Sequence, residues 1–308
     1  MRLFDIMQNE KVGIVVVTYN RLKLLQEEIQ ALRKQTYRDF QIIVVNNGST
    51  DNTADWLKLQ GDLIVITQEN LGGAGGFFTG MKYVAEDASF TFCWIMDDDV
   101  ICSANALEEL VDAYNKKTDL GFVCSKVIGI DGCPMNTPII DDRETSNGYA
   151  DYSDLIAYNM IKVKEATFVS VLFHTKIIHE IGLPYKEFFI WGDDTEYTKR
   201  VSLSHDCYMA CNSVVIHKRV IQKSLSFVFE KNPDRLNFYK YKIRNDGFVL
   251  FKYDSLYQKR RHRVKYYLNS IMYSMMLLIK GEVLHAKINL GATLDLIRFK
   301  PVVIYPKV

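Results

Sequence analysis

Several things are scarce in this chain of 308 residues. Cysteine occurs six times, and Cys93, Cys102, Cys124, Cys133, Cys207 and Cys211 are scattered; only the last two lie close, at a spacing that does not suit a zinc knuckle. That argues against a cysteine-bound metal module or a disulfide framework and leaves most of these residues as small core hydrophobes. The opening stretch "MRLFDIMQNEK" lacks a basic-then-apolar leader, so the expected location is cytoplasmic. The apolar run near the C-terminus, "IMYSMMLLIK", is too short and too polar to cross a bilayer, which takes about 20 apolar residues. No Gly-Lys-Ser/Thr follows the glycines, and no dinucleotide fingerprint follows the first strand. Net charge is also small, at +1.

What is present is a globular composition, 48% hydrophobic and 24% charged, enough for a full core. The charge is divided. From Lys231 onward 16 Lys and Arg face 5 Asp and Glu, whereas residues 1–230 carry 22 against 32. The expected organisation is therefore an acidic domain over 1–230 and a basic, aromatic-rich helical region over 231–308.

Short β-branched runs alternate with helical patterns. "VGIVVV" (Val12 to Val17), "QIIVV" (Gln41 to Val45), "LIVI" (Leu63 to Ile66) and "FCWIM" (Phe92 to Met96) read as strands, the first buried on both faces. Between them lie helices: one capped by Asn20, one starting near Asp51, and one after "TQENLGGAGGF". The fold class is α/β, with a mostly parallel sheet flanked by helices, and ligands in such sheets bind beyond the carboxyl ends of the strands. Thr18 to Arg21, Asn46 to Ser49, Asn70 to Gly76 and Asp97 to Asp99 all fall there and are expected to share one crevice. The glycines of "NLGGAGGF" admit two readings: backbone that approaches an anionic ligand, or close helix-to-strand packing.

The triplet Asp97-Asp98-Asp99 ends a buried strand. Three carboxylates beside an apolar run are costly unless a cation or hydrogen-bond donors compensate, and a divalent ion is the simplest remedy; the alternative is an acidic, solvated turn. Asp193, Asp194 and Glu196 follow Trp191 and Gly192 in "EFFIWGDDTEY". A helix start explains one of these acids well and three poorly, and an acid beside an aromatic wall suits a general base. His217 alone among six histidines ends a strand-like run. The turn-rich segment 129–164 is expected to serve in part as a lid, with Asp141 and Asp142 as solvated charges.

Taken in order, "VVVTYNR", "VVNNGSTDNTADWL", "ENLGGAGGF", "WIMDDDV", "GLPYKEFFIWGDDTEY" and "VVIHKR" resemble the inverting family 2 glycosyltransferases of GT-A fold, and within them the galactofuranosyltransferase and rhamnosyltransferase branch. The match spans about Val12 to Arg219. The resemblance implies that Asp97, Asp99 and His217 hold Mn²⁺ or Mg²⁺. It implies that Thr18, Tyr19, Asn20, Arg21, Asn47, Asn70, Gly73 and Asp98 bind the donor, where related enzymes often have Asp in place of Asn47. Asp194 would be the catalytic base, and Trp191, Asp193 and Glu196 would face the acceptor.

The expected partners are a nucleotide-sugar donor, UDP-galactofuranose before other UDP-hexoses and dTDP-rhamnose, and a glycan acceptor on a polyprenyl diphosphate. A nucleotidyltransferase is disfavoured because "VTYNR" is not the basic glycine loop such enzymes place after the first strand. A catalytically silent nucleotide-sugar-binding subunit is disfavoured by the intact acids. In the tail, Val264, Leu268, Ile271, Met272, Met275 and Ile279 share one helical face beside the cationic cluster Lys259 to Lys265. That pattern fits a peripheral contact with anionic membrane on the cytoplasmic side, or packing against the catalytic domain or a second subunit in a homodimer. It fits no nucleic-acid module.

Overall fold

A computed structural model describes residues 10–219 and 226–307. The leader reading, which concerns residues 1–11, falls almost wholly outside the described residues.

In chain order the elements are β1 (Val12–Thr18), α1 (Leu22–Leu32), β2 (Phe40–Asn46), α2 (Thr53–Lys58), β3 (Leu63–Thr67), α3 (Gly72–Glu86), β4 (Phe92–Asp97), β5 (Val100–Cys102) and α4 (Ala106–Lys116). There follow β6 (Val123–Gly129), β7 (Ile139–Ile140), β8 (Met160–Glu165), β9 (Val171–His174), α5 (Thr175–Ile181), α6 (Asp193–Ser202) and β10 (Tyr208–His217). The C-terminal region is helical: α7 (Pro233–Tyr253), α8 (Ser255–Gln258), α9 (Arg260–Ile279) and α10 (Val283–Arg298).

The strands lie in the order β3-β2-β1-β4-β9-β6-β10-β8-β7, with β5 paired to β10. β3, β2, β1 and β4 run parallel, and β6 with β10 is parallel too. β9 is antiparallel to both β4 and β6 and joins the two parallel groups. Every residue of β1 is buried, as its unalternating sequence predicts, because helices cover both faces. One core face collects Leu25, Ile29 and Leu32 of α1 with Leu107, Leu110 and Val111 of α4. The other gathers Phe77, Met81 and Val84 of α3 with Phe173 and Tyr197.

The glycines belong to α3 rather than to a loop before it. A Cβ on Gly76 would collide with Val17, and one on Gly80 with Val15, so these two positions let α3 lie directly on β1. Of the two readings of "NLGGAGGF", close packing holds for Gly76; Gly80, one turn further along α3, packs in the same way. The cap assigned to Asn20 is corrected: Arg21 occupies the N-cap position and Asn20 has φ 55°. Its Oδ1 instead accepts from the backbone N–H groups of Thr50 (2.6 Å) and Asp51 (3.3 Å), which ties the loop after β1 to the loop after β2.

Within 129–164 the segment is pinned at several points. Arg143 pairs with Asp141 and donates to the Ser202 carbonyl (2.7 Å), and Tyr208 donates to Asp154 (2.7 Å). Asp141 is therefore buried in an ion pair, a correction to the solvated charge expected; Asp142 is exposed and paired with Lys164. All six cysteines are free, and four of them are buried.

Candidate active site

The parallel strands β1 and β4 stop side by side, so Thr18 and the acidic triplet emerge together. Asp98 is buried and turned toward the β1 loop, where it accepts from Thr18 Oγ1 (2.8 Å), the Tyr19 N–H (3.4 Å) and Arg21 Nη1 (3.2 Å). Arg21 also donates to Asp99 Oδ2 at 2.7 Å. β5 turns straight back after the triplet and pairs with the end of β10, setting His217 opposite Val100. His217 Nε2 then lies 3.0 Å from Asp99 Oδ1, and its Nδ1 is 2.9 Å from Asn136 Oδ1. One ligand atom each from Asp97, Asp99 and His217 fits within 4.8 Å of the others.

Electrostatics mark this cluster as charge-stressed. Burial, then Asp99, pushes the Asp97 carboxyl up to about 7, and burial pushes Asp98 up to about 6 against the pull of Arg21. Burial acts the same way on Asp99, yet His217 and Arg21 outweigh it and hold Asp99 below the usual carboxylate range. Glu28 of α1 is buried with neither carboxylate oxygen hydrogen-bonded. Burial and then the three aspartates hold it well above the usual carboxylate range.

Asn47, expected among the donor contacts, is 2% exposed and fully engaged. Its Nδ2 donates to the Gly72 carbonyl (2.8 Å) and Asn70 Oδ1 (3.4 Å), and its Oδ1 accepts from Gln68 Nε2 (2.8 Å) and the Leu71 N–H (3.2 Å). An aspartate could not make the two donations, which accounts for asparagine at this position. Asn47 thus shapes the start of α3 and has no polar valence left for a ligand. Beside it Asn70 accepts from the Gly72 N–H (2.9 Å), while the Cβ position of Gly73 meets nothing within 4 Å. Tyr19 is 44% exposed.

The second acidic cluster opens α6. Asp193, Asp194 and Glu196 all lie in its first turn. Asp194 is half-buried, and its Oδ1 accepts from the Thr195 N–H at 2.7 Å. Burial raises its pKa, while Lys242 of α7 and the N–H bonds oppose the rise. Asp193 is pushed up to about 8 by burial and by Asp194. Glu196 is corrected as an acceptor contact: it is 0% exposed and ringed by Arg200 (3.1 Å), Lys252 (3.2 Å) and Tyr253, so it is a buried counter-ion joining α6 to α7.

The loop before Asp193 is strained. Phe189 and Trp191 have φ 65° and 62°, a region non-glycine residues rarely occupy, and Gly192 has φ 89°. Side chains of α7 hold it: the buried Asn245 Nδ2 donates to the carbonyls of Phe188 (3.0 Å), Ile190 (3.3 Å) and Trp191 (2.7 Å), and Arg244 Nη2 donates to those of Glu187 (2.8 Å) and Phe188 (3.3 Å). Phe189 in turn accepts from the Ala74 N–H (3.1 Å) at the start of α3. The Trp191 ring packs 5.1 Å from Tyr239 of α7, and Tyr239 acts electrostatically on Arg219, as do Asp97 and Asp99. A connected path therefore runs from Asp98 through Thr18, whose carbonyl accepts from the Asn47 N–H (2.9 Å), to Asn47, Gly72 and Phe189 in the loop that leads into Asp194. Asn136, Lys242 and Asn245 are further residues at the site that the sequence did not single out; each is an isolated polar residue in a segment without periodicity that points to the site.

A family profile described as Glycosyl transferase family 2 matches residues 13–181, more than half the chain. The chain belongs to glycosyl transferase family 2. This transferase is 26% identical over 259 residues to the galactofuranosyltransferase GlfT1 of Mycobacterium tuberculosis, covering 78% of the present chain and 82% of that protein. Its fold is that of S. aureus TarS 1-349 in complex with UDP-GlcNAc (TM-score 0.52, 17% identity, 79% of this chain and 67% of that one). It is also that of GalNAc-T7 with UDP, GalNAc and Mn²⁺ (TM-score 0.54, 13% identity, 80% and 52%). The chain spans about half the length of the GalNAc-T7 chain. The architecture is GT-A, and Asp97, Asp99 and His217 form a possible cation site within it.

Proposed function

We propose that this family 2 transferase moves galactofuranose from UDP-galactofuranose, with inversion, onto a hydroxyl of a growing lipid-linked surface glycan. The observation that carries the reading is the Asp97, Asp99 and His217 cluster at the carboxyl ends of the strands. The donor set fits a divalent ion: Asp99 Oδ1 is buried without a well-aligned hydrogen bond, and two carboxylates with one imidazole suit Mn²⁺ over Mg²⁺. Mn²⁺ in the GalNAc-T7 structure, UDP-GlcNAc in the TarS structure and the name of the mycobacterial relative all support it. When bound, the ion supplies positive charge to the departing diphosphate.

The chain's own residues do the rest. Asp194 accepts the proton of the acceptor hydroxyl, whose oxygen forms the new bond to the anomeric carbon on the face opposite the nucleotide. The bond to UDP breaks in the same displacement. A positioned carboxylate base is worth roughly 10²–10⁴ in rate. The raised pKa of Asp194 makes it a better base than a solvated aspartate, and the strained loop held by Asn245 fixes its position.

The test is nucleotide release and glycan product across UDP-galactofuranose, UDP-galactopyranose, UDP-glucose and dTDP-rhamnose, with Mn²⁺. The expected kcat/KM for UDP-galactofuranose exceeds each of the others by about tenfold or more, the discrimination a few pocket contacts supply. A higher kcat/KM for dTDP-rhamnose would reassign the donor, and no turnover with any donor would favour the silent-subunit reading.

A further inference from the structure

The helices α9 and α10 form an antiparallel hairpin that buries Leu277, Ile288 and Leu296 yet leaves a long apolar side exposed. Its seam carries a cluster of small polar residues: Ser270 Oγ lies 2.6 Å from Thr293 Oγ1, and Asn289 Nδ2 donates to the hydroxyls of Ser270 and Ser274, each at 2.9 Å. Its outer side is apolar. On α9, Val264, Leu268, Ile271, Met272, Met275 and Ile279 fall within about a third of the helix circumference and are all exposed, Met272 at 66% and Ile279 at 87%. On α10, Val283, Leu290, Leu294 and Ile297 make a second exposed stripe.

Both stripes lie roughly a quarter to a third of a turn from the shared seam. Because the two helices run in opposite directions, the stripes emerge on the same side and make one plate. A helix pair in water turns its apolar face inward; small polar residues at the seam with apolar residues outside is the arrangement of helices that meet lipid. Among the described residues no helix is long and apolar enough to cross a membrane. The plate can only lie on one.

Charge selects the kind of surface. Residues 255–281 hold six Lys or Arg and no Asp or Glu. Lys259, Arg260, Arg261 and Lys265 are exposed at the end of α9 where the apolar stripe begins. Behind the plate, α10 packs on α7, the helix that supplies Asn245 to the loop before Asp194.

We propose that the outer face of the α9–α10 hairpin seats the enzyme on an anionic phospholipid bilayer, with the side chains of Leu268, Met272, Met275 and Ile279 entering the interface and Arg260, Arg261 and Lys265 on the headgroups. This rests on the reading above only in that the acceptor is lipid-borne. Vesicle binding needs neither donor nor metal ion, so its failure leaves the donor reading standing.

The full chain is sedimented with phosphatidylglycerol vesicles and with phosphatidylcholine vesicles. The expected result is binding to the first and little to the second, weakened by salt. Arg261→Glu/Lys265→Glu lowers the partition coefficient roughly fivefold for each charge removed, and Met272→Glu/Met275→Glu abolishes binding, while both variants keep the circular dichroism spectrum and UDP affinity of the parent. Equal binding to both lipids, no binding to either, or binding that survives the methionine variant would overturn the proposal. So would a lipid-free dimer in analytical ultracentrifugation that Met272→Glu/Met275→Glu dissociates, since the plate would then belong to a second copy of the chain.

Discussion

Replacing Asp194 with asparagine is expected to lower kcat by roughly 10²–10⁴ while leaving UDP affinity within about twofold. The split follows from geometry. Asp194 is no member of the Asp97, Asp99 and His217 cluster, so in the proposed mechanism nucleotide binding does not need it. In that mechanism turnover does, because only an ionised carboxylate takes the hydroxyl proton.

The same argument fixes the pH dependence of the parent enzyme. Burial raises the Asp194 pKa, so the ionised base is lost as pH falls through a value above the ordinary carboxylate range of about 4. Activity therefore rises with pH along an acidic limb displaced upward, and the residual activity of Asp194→Asn lacks that limb. Initial rates at saturating donor, compared between the two proteins across the pH range, check both parts. A variant that loses donor affinity in step with kcat would move Asp194 from the base to the donor site.

The second large effect is expected at Asn245, far from any motif. Its amide is the shared donor for three carbonyls in a loop whose backbone is held at positive φ. Asn245→Leu keeps the branched shape, removes the donor and keeps water out, so the carbonyls of Ile190 and Trp191 lose their partner at a cost of about 1–3 kcal/mol each, while that of Phe188 keeps the Ile190 N–H (2.8 Å) and Arg244 (3.3 Å). The expected loss is roughly 3–4 kcal/mol in urea unfolding, a large fraction of a typical domain's stability. Asn245→Ala leaves room for water and loses less stability. In that milder variant the loop relaxes, and kcat falls with KM for the donor unchanged, because the loop places the base and not the nucleotide. Loss of stability with no change in kcat would make Asn245 a structural residue alone.

How much of this was legible in the sequence depends on whether the signal was local. β1 to β4 were readable because a buried parallel strand needs an unbroken β-branched run, and the triplet was readable because three adjacent carboxylates at a strand end demand compensation. The α9 face was also legible, since its period is intrinsic to the helix; its exposure was not, because exposure depends on what α10 covers. The glycines misled by propensity: five of them in fifteen residues argue against a helix, but the contact with Val15 and Val17 outweighs that cost.

Asn20 read as a cap because asparagine usually is one, and tertiary pairing with the loop after β2 took its side chain elsewhere. Glu196 looked like a companion of Asp194 in sequence; two residues on, about 200° round the helix, it points inward to Lys252 and Arg200. Asn136 and Asn245 carried no signal at all, since each acts across more than 50 residues of chain on a partner that only folding brings near.

Calorimetric titration with UDP, with and without Mn²⁺, on the parent protein and on Asp99→Ala, tests the central claim most directly. The account predicts UDP binding that requires Mn²⁺ and disappears in Asp99→Ala, because Asp99 would supply a buried ligand oxygen and pairs with Arg21 and His217. UDP binding of equal strength with and without the ion, or undiminished in Asp99→Ala, would contradict it.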